Sequence, residues 1–344
     1  MDNFFFGTEA ESRLQFFVND CITKKKRIFL LCDENTEKYC LPILQSLSKF
    51  AFLDKFVLKS GENSKSIDNA TLIWIYLLEQ RADKDAVLVA LGGGVVTDLA
   101  GFVAANFKRG IDLVLLPTSL IGQVDAALGG KNAVNIDNAK NQIGTFKKAD
   151  IIFIFPQFIS TLPKIEIFSG FAEMLKHALI VDAVYWEKLK DSDFTIDMIN
   201  NELILTSVNI KSQICQQDRF ENHLRKKLNF GHTIGHAIEC YYLSNNQSIP
   251  HGHAVAEGML SAAYISYLKN MLYLSQLQEI KTVIRRFFPP LSIPKNDYSL
   301  IYQYTLSDKK HSSQSANFTL LTSIGQSIVN QDVSKKEIIE AMIL

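Results

Sequence analysis

No surplus charge of either sign marks this chain: 36 lysines and arginines are matched by 36 aspartates and glutamates. A surface built for nucleic acid or an anionic membrane carries a basic excess, so neither partner is expected. Paired cysteines are missing too. The five present, Cys21, Cys32, Cys40, Cys215 and Cys240, are odd in number and scattered, with no CxxC spacing to suggest zinc or a redox pair. They read as reduced thiols of a cytoplasmic protein. The opening "MDNFFFGTEAESR" lacks a basic start and a long apolar core, so neither a signal nor a transit peptide is expected there. One run, Ala86 to Phe107, has the length and apolarity of a membrane span, but three consecutive glycines and Asp98 interrupt it. A buried strand, a turn and a helix fit better. Internal repeats and low-complexity tracts are absent.

What is present is enough apolar residue for a sizeable core: 47% of 344 positions, a length that suits two domains. In the first half, Arg27–Asp33, Lys55–Glu62, Ala86–Gly92 and Ile111–Pro117 are short apolar runs without alternation, as expected of strands buried on both faces. Between them, Ser64 to Arg81 has apolar residues at helical spacing. That order is βαβ and predicts a parallel sheet. From about Pro163 the texture turns helical, over Phe171–Leu189, Asn201–Gln217, Thr233–Leu243, Ala254–Leu268 and Ser275–Phe288. "FFPPLSIP" ends that series, and Phe318–Gly325 reads as a late strand or hairpin arm. The expectation is an α/β Rossmann-like parallel-sheet domain over residues 1–160 and a mostly α-helical domain over 161–344, with an active cleft between them.

Gly92, Gly93 and Gly94 follow a strand and open a helix near Val95, where backbone amides can approach an anion. The loop is not a GxGxxG: Thr97 holds the third glycine position, and a ligand-free turn would look the same. Two further loops favour a dinucleotide. "SGENSKS" puts Glu62 and Lys65 after the second strand, and "PTSLIGQVDAALGGKNAVN" follows the fourth, so several βα loops share one sheet edge.

Five of the seven histidines lie between His223 and His253. His232 and His236, four apart in "NFGHTIGHAIE", share a helix face and could both reach one ion, yet Thr233 stands where the HExxH zincins have glutamate. His251 and His253 flank a glycine at the entry to the next helix, and Glu173, Lys176 and His177 share a face of an earlier one. Two histidines, a carboxylate and an open position make a catalytic type of zinc site. Taken singly, each histidine reads as a hydrogen-bonded structural residue or helix cap and Glu173 as a solvated charge, and spacing leaves the ligand set open. Basic residues suited to phosphate or carboxylate are Arg109, Lys131, Lys140, Lys176, Lys211, Arg225, Lys309 and Lys310.

Together, "SGENSK", "LVALGGGVVTDLAGFVAANFKRG", "PTSLIGQVDAALGGKNAVN", "KNQIGTF", "SGFAEMLKHAL", "NFGHTIGHAIE", "HGHAVAEGM" and "DKK" resemble the 3-dehydroquinate synthase family, in family order from Ser60 to Lys310. The resemblance implies a dehydroquinate synthase-like fold, a homodimer, NAD and a divalent metal, Zn2+ or Co2+. It implies conversion of 3-deoxy-D-arabino-heptulosonate 7-phosphate into 3-dehydroquinate and phosphate in the shikimate pathway, by transient oxidation, phosphate elimination, re-reduction and aldol closure. Glu173, His232 and His251 become the metal ligands, and His236 a substrate-facing group for proton transfer. NAD falls to Glu62, Lys65, Gly93, Gly94, Val95, Val96, Thr97, Asp98, Thr118, Ser119, Lys131, Lys140, Phe158 and Thr161. Substrate falls to Arg109, Asp125, Lys131, Asn141, Lys176, Lys211, Arg225, Asn229 and one or both of Lys309 and Lys310.

Five positions depart from the family pattern. Ser60, Thr97 and Ser119, in place of Asp, Gly and Thr, are expected to retune the grip on NAD. Asn132, in place of Thr beside Lys131, bears on which sugar phosphate is accepted. His253, in place of Glu, adds a partner to the metal site or competes for the ion. The rival readings are another sugar-phosphate cyclase, making 2-deoxy-scyllo-inosose or an epi-valiolone, a metal-dependent polyol dehydrogenase, and a nucleotide-binding regulator without activity.

Overall fold

In the computed structural model, residues 3–52, 54–136, 139–191, 200–307 and 316–342 are described. The chain divides into two compact units. The first is Met1–Pro163 with Lys211–Gln216, the second Lys164–Ile210 with Gln217–Leu344.

The first unit runs β1 (Phe4–Phe6), α1 (Gly7–Thr23), β2 (Ile28–Asp33), α2 (Glu34–Tyr39), α3 (Leu41–Ser48), β3 (Lys55–Leu58), α4 (Ile67–Glu79), β4 (Val87–Gly92), α5 (Gly94–Asn106), β5 (Asp112–Pro117), an antiparallel pair β6 (Lys131–Ile136) and β7 (Ala139–Phe146), and β8 (Ile151–Ile154). Six strands form one sheet in the order β1-β8-β5-β4-β2-β3, every pairing parallel. All of β4 is buried, as a central strand covered on both faces must be. One face packs Leu30, Val89, Leu91, Val114, Leu116 and Phe153 against Leu14 and Val18 of α1. The apolar run from Ala86 splits into β4 and α5, and no helix among the described residues is long and apolar enough to cross a membrane.

Four strands were not anticipated. β1 and β8 are only three and four residues long, too short for a pattern to show. The β6–β7 pair lies where glycine-rich loop was expected, although its first arm alternates inward and outward as a half-buried strand does.

The second unit holds α6 (Lys164–Val181), α7 (Ala183–Lys190), α8 (Asn201–Gln217, whose last turns group with the first unit), α9 (His232–Ser244), α10 (His251–Leu268), α11 (Leu274–Phe287), α12 (Tyr298–Ser307), β9 (Ala316–Ser323), β10 (Gln326–Val333) and α13 (Lys335–Ala341). The expected single helix Phe171–Leu189 is two. Asp182 adopts an extended conformation and its carboxylate accepts from Tyr185 N, capping a new helix. The late strand is one arm of a hairpin with β10, and α12 and α13 carry the helical series beyond Pro294.

Glycines let α6, α9 and α10 approach closely. A Cβ at Gly258 would stand 1.9 Å from Gly231 O, and one at Gly252 would stand 2.3 Å from Ser169 Cα. Backbone meets backbone at both points, so no side chain fits. The glycines of "GHTIGHA" and "HGHAVAEG" are therefore packing residues.

Candidate active site

In the first unit, Gly93 is the N-cap of α5 and supplies no side-chain cap. The first-turn amides thus keep the donors that a phosphate can accept. A Cβ at Gly93 would lie 3.1 Å from Ser119 Oγ, so the Gly92–Gly94 turn and the loop after β5 meet without a spare atom between them. Beside them is a polar network. Lys65, buried, pairs with Asp98 and donates to Asn141 Oδ1 at 2.6 Å. Asn141 N donates to Asn135 Oδ1 (3.0 Å), and Asn135 Nδ2 donates to Glu62 Oε1 (2.7 Å). Burial pushes the Asp98 carboxyl above its ordinary range, with Lys65 pulling the other way. Four expected residues, Glu62, Lys65, Asp98 and Asn141, are thereby joined through Asn135, which sequence reasoning missed. Asn135 sits on β6, a strand not anticipated. Lys211 Nζ and Asp125 Oδ1, both expected at the substrate, pair at 2.6 Å within the same unit.

Several departures turn out to be local. Thr97 is buried, and its Oγ1 returns to Gly93 O and Gly94 O. Ser119 Oγ accepts from Gly122 N, bracing the single π-helical turn Gly122–Ala126. Asn132 is buried, donates to Gly130 O and Lys147 O, and lies where a Cβ on Gly101 would be 1.9 Å from its Oδ1. The Phe158 side chain lies in the apolar core, edge-on to Phe155 at 5.7 Å. Val96 is likewise buried, against Gly92. Arg109 is exposed at the far end of α5, about 20 Å from that helix's first turn by its rise per residue. Lys131 and Lys140 are exposed, Thr118 is buried, and Thr161 Oγ1 donates to Phe158 O. Lys309 and Lys310 lie outside the described residues.

In the second unit, three helices aim one donor each at a common point. Glu173 Oε1 on α6, wholly buried, stands 3.6 Å from His232 Nε2 at the start of α9 and 3.5 Å from His251 Nε2 at the start of α10. Donors held about 2.0–2.1 Å from a tetrahedral zinc stand about 3.3–3.4 Å apart, so the spacing fits a divalent cation with small adjustment. The other ring nitrogens already have partners: His232 Nδ1 faces Phe230 O (3.3 Å) and His251 Nδ1 faces Glu239 Oε2 (3.2 Å). Each imidazole thus offers Nε2 as the lone-pair side. Lys176, also buried, pairs with Glu173 Oε2. Burial, aided by Lys176, holds His232 well below its ordinary pKa. Burial opposes charge on His251 as well, but hydrogen bonds to Glu173 and Glu239 outweigh it and push that ring up to about 10.

His236 is one turn beyond His232, ring centroids 5.1 Å apart and edge-on, and 6.0 Å from His251. His253 does not join the cluster: its Nε2 donates to Pro289 O at 2.6 Å. His177 pairs with Ser207 Oγ at 2.7 Å. Arg225 is buried, with Nη1 donating to Arg219 O, and Asn229 Nδ2 donates to Glu221 Oε1.

The 3-dehydroquinate synthase N-terminal profile matches residues 55–169 and the C-terminal profile matches 170–311. The 3-dehydroquinate synthase of Parabacteroides distasonis is 37% identical over 97% of this chain and 95% of its own. This chain belongs to the 3-dehydroquinate synthase family. A further 3-dehydroquinate synthase, from Streptococcus mutans, is 39% identical over 79% of this chain and 77% of its own. Among solved structures, 2-deoxy-scyllo-inosose synthase with carbaglucose-6-phosphate, NAD+ and Co2+ aligns with TM-score 0.82 at 23% identity, covering 98% of this chain and 95% of that one. The 2-epi-5-epi-valiolone synthase of Streptomyces hygroscopicus, with NAD+ and Zn2+, aligns with TM-score 0.84 at 23% identity, covering 100% and 96%. These two share the fold of the family.

Proposed function

We propose that this chain is a 3-dehydroquinate synthase, a phosphate-eliminating lyase that acts in the cytoplasm on 3-deoxy-D-arabino-heptulosonate 7-phosphate with NAD and a divalent cation bound. The observation that carries the reading is the convergence of Glu173 Oε1, His232 Nε2 and His251 Nε2 from three helices. When bound there, Zn2+ or Co2+ supplies a Lewis acid for the reacting hydroxyl, and NAD supplies a reversible hydride acceptor. The 23%-identical cyclases hold that same pair of cofactors, which agrees with the residues present here.

The chain's own groups do the rest. Gly93, Gly94 and the amides that open α5 receive the pyrophosphate, while Glu62, Lys65 and Asp98 stand beside them for ribose hydroxyls. Lys211, held by Asp125, Lys131 and Arg225 grip the carboxylate and phosphate ends of the substrate, so that an intramolecular ring closure starts from a folded chain. Lys176 lends positive charge beside Glu173 where oxyanion character grows. His236 faces the reacting hydroxyl and takes its proton. Arg109 is counted among the substrate groups, and a homodimer is expected, on the family's pattern alone.

Purified protein given NAD, Zn2+ and the heptulosonate phosphate is expected to release phosphate and form 3-dehydroquinate without accumulating NADH. Carbocycle formation from a different sugar phosphate, with none from this one, would move the chain among the cyclases. Sustained NADH production from a polyol would make it a dehydrogenase.

A further inference from the structure

His251 points its two ring nitrogens at two carboxylates. Nε2 is 3.5 Å from Glu173 Oε1, and Nδ1 is 3.2 Å from Glu239 Oε2. Glu239 lies on α9 seven residues after His232, two helical turns, and so shares the face that carries this histidine. Its side chain is only 13% exposed, which is uncommon for a glutamate without a partner to hold it. His251, in turn, is the first residue of α10, and the N-cap Pro250 provides no side-chain cap. A ligand on a helix's first residue has little backbone constraint on its ring and needs fixing from outside.

An imidazole that gives one lone pair to a cation carries its hydrogen on the other nitrogen, and a carboxylate accepting that hydrogen fixes both the tautomer and the ring plane. We propose that Glu239 is the positioning residue of His251: it accepts the Nδ1 hydrogen, presents Nε2 towards Glu173, and so sets the affinity of the cation site. The inference rests on the metal reading above. One competing use of the same groups exists, because donor atoms of His236, Glu239 and His251 also lie within 4.8 Å of one another. A cation there would need the Nδ1 lone pair of His251, which a neutral ring cannot offer while Nε2 is the second donor. The two uses exclude each other and differ in which substitution empties the site, His232→Ala for the first and Glu239→Ala for the second.

The test uses the full chain, stripped of metal, with Zn2+ affinity measured by competition against a chromophoric chelator and geometry read from the visible absorption of bound Co2+. The parent is expected to bind one ion, and His232→Ala to lose it. Glu239→Ala is expected to bind one ion about 10–100-fold more weakly with a changed Co2+ spectrum. Glu239→Gln keeps an oxygen acceptor and the side-chain volume, so it folds as the parent does. It is expected to recover part of the lost affinity while its Co2+ spectrum stays shifted from the parent's. Parental affinity and spectrum in Glu239→Gln, or parental affinity in Glu239→Ala, while His232→Ala still empties the site, overturns the role of Glu239 and leaves the metal reading standing. Two ions per parent chain, with one lost in Glu239→Ala at unchanged affinity for the other, overturns it as well. Parental binding by His232→Ala overturns the metal reading itself.

Discussion

Glu173 is a carboxylate with no exposed surface, surrounded by Lys176, His232 and His251. A buried ion is tolerated only where opposite charge and donors replace its water, and removing a partner strands the remaining charge. The proposed reading gives different roles to two histidines that spacing could not separate. Residues four apart share a helix face whether both bind an ion or only one does, so "GHTIGH" by itself fitted either case. In the structure His232 Nε2 stands 3.6 Å from Glu173 Oε1 and His236 lies edge-on one turn beyond, and the proposed roles differ in what each variant loses. His232→Ala is expected to lose the metal. His236→Ala is expected to keep it at parental stoichiometry while kcat falls about 10²–10⁴-fold, the usual size of a lost proton-transfer group. Metal analysis beside steady-state kinetics checks this, and an emptied site in His236→Ala would reverse the roles. Glu239 was in the same quoted stretch yet gave no cue, because its partner is on another helix and such a pairing has no spacing in the sequence.

At the scale of elements, three helices converge because glycine removes the side chains that would hold them apart. Gly258→Ala sets a methyl against Gly231 O, backbone on α9's approach, and neither partner can swing away. The expected cost is about 1–3 kcal/mol, as for overpacking elsewhere, together with weaker Zn2+ binding, since α9 moves with His232. Urea unfolding and metal competition on one preparation check both. The loop before α9 has its own support. Asp218 accepts from Asn222 N, His223 N and Arg225 N, and although burial raises its carboxyl, those three donors win and hold it below the ordinary value. A carboxyl depressed in the folded form contributes stability above its unfolded range, and the contribution is lost as pH falls through the folded value. Amide exchange at His223 and Arg225 should therefore quicken, relative to Asp218→Asn, when pH drops into the acid range. Of the elements themselves, buried strands such as β4 and long helices such as α10 were legible, since continuous apolar runs and helical periods are local properties. The three-residue β1, the four-residue β8 and the β6–β7 pair were not, because their pairing partners, not their own patterns, make them strands.

At the scale of the molecule, the expected cofactor residues and the expected metal ligands fall on different compact units, with the last turns of α8 a sequence-distant contribution to the first. Composition could not announce that Lys211 groups with Asp125, a contact spanning 86 positions. This division gives each ligand its own signature. A ligand that binds only the folded form stabilises it by RT ln(1 + [L]/Kd), about 2.7 kcal/mol at a hundredfold excess over Kd. Zn2+ is expected to slow amide exchange in the early turns of α9 and α10 and around Glu173 on α6, and NAD to slow it at Glu62–Lys65 and Gly93–Asp98. His232→Ala should abolish the first pattern and leave the second, because its side chain belongs to the metal cluster alone. Hydrogen exchange read by mass spectrometry, with each ligand added separately to parent and variant, decides the matter. If NAD protection disappeared with His232, the two sites would be one coupled unit, and the assignment of the glycine loop to a cofactor held by the first unit's own residues would fall.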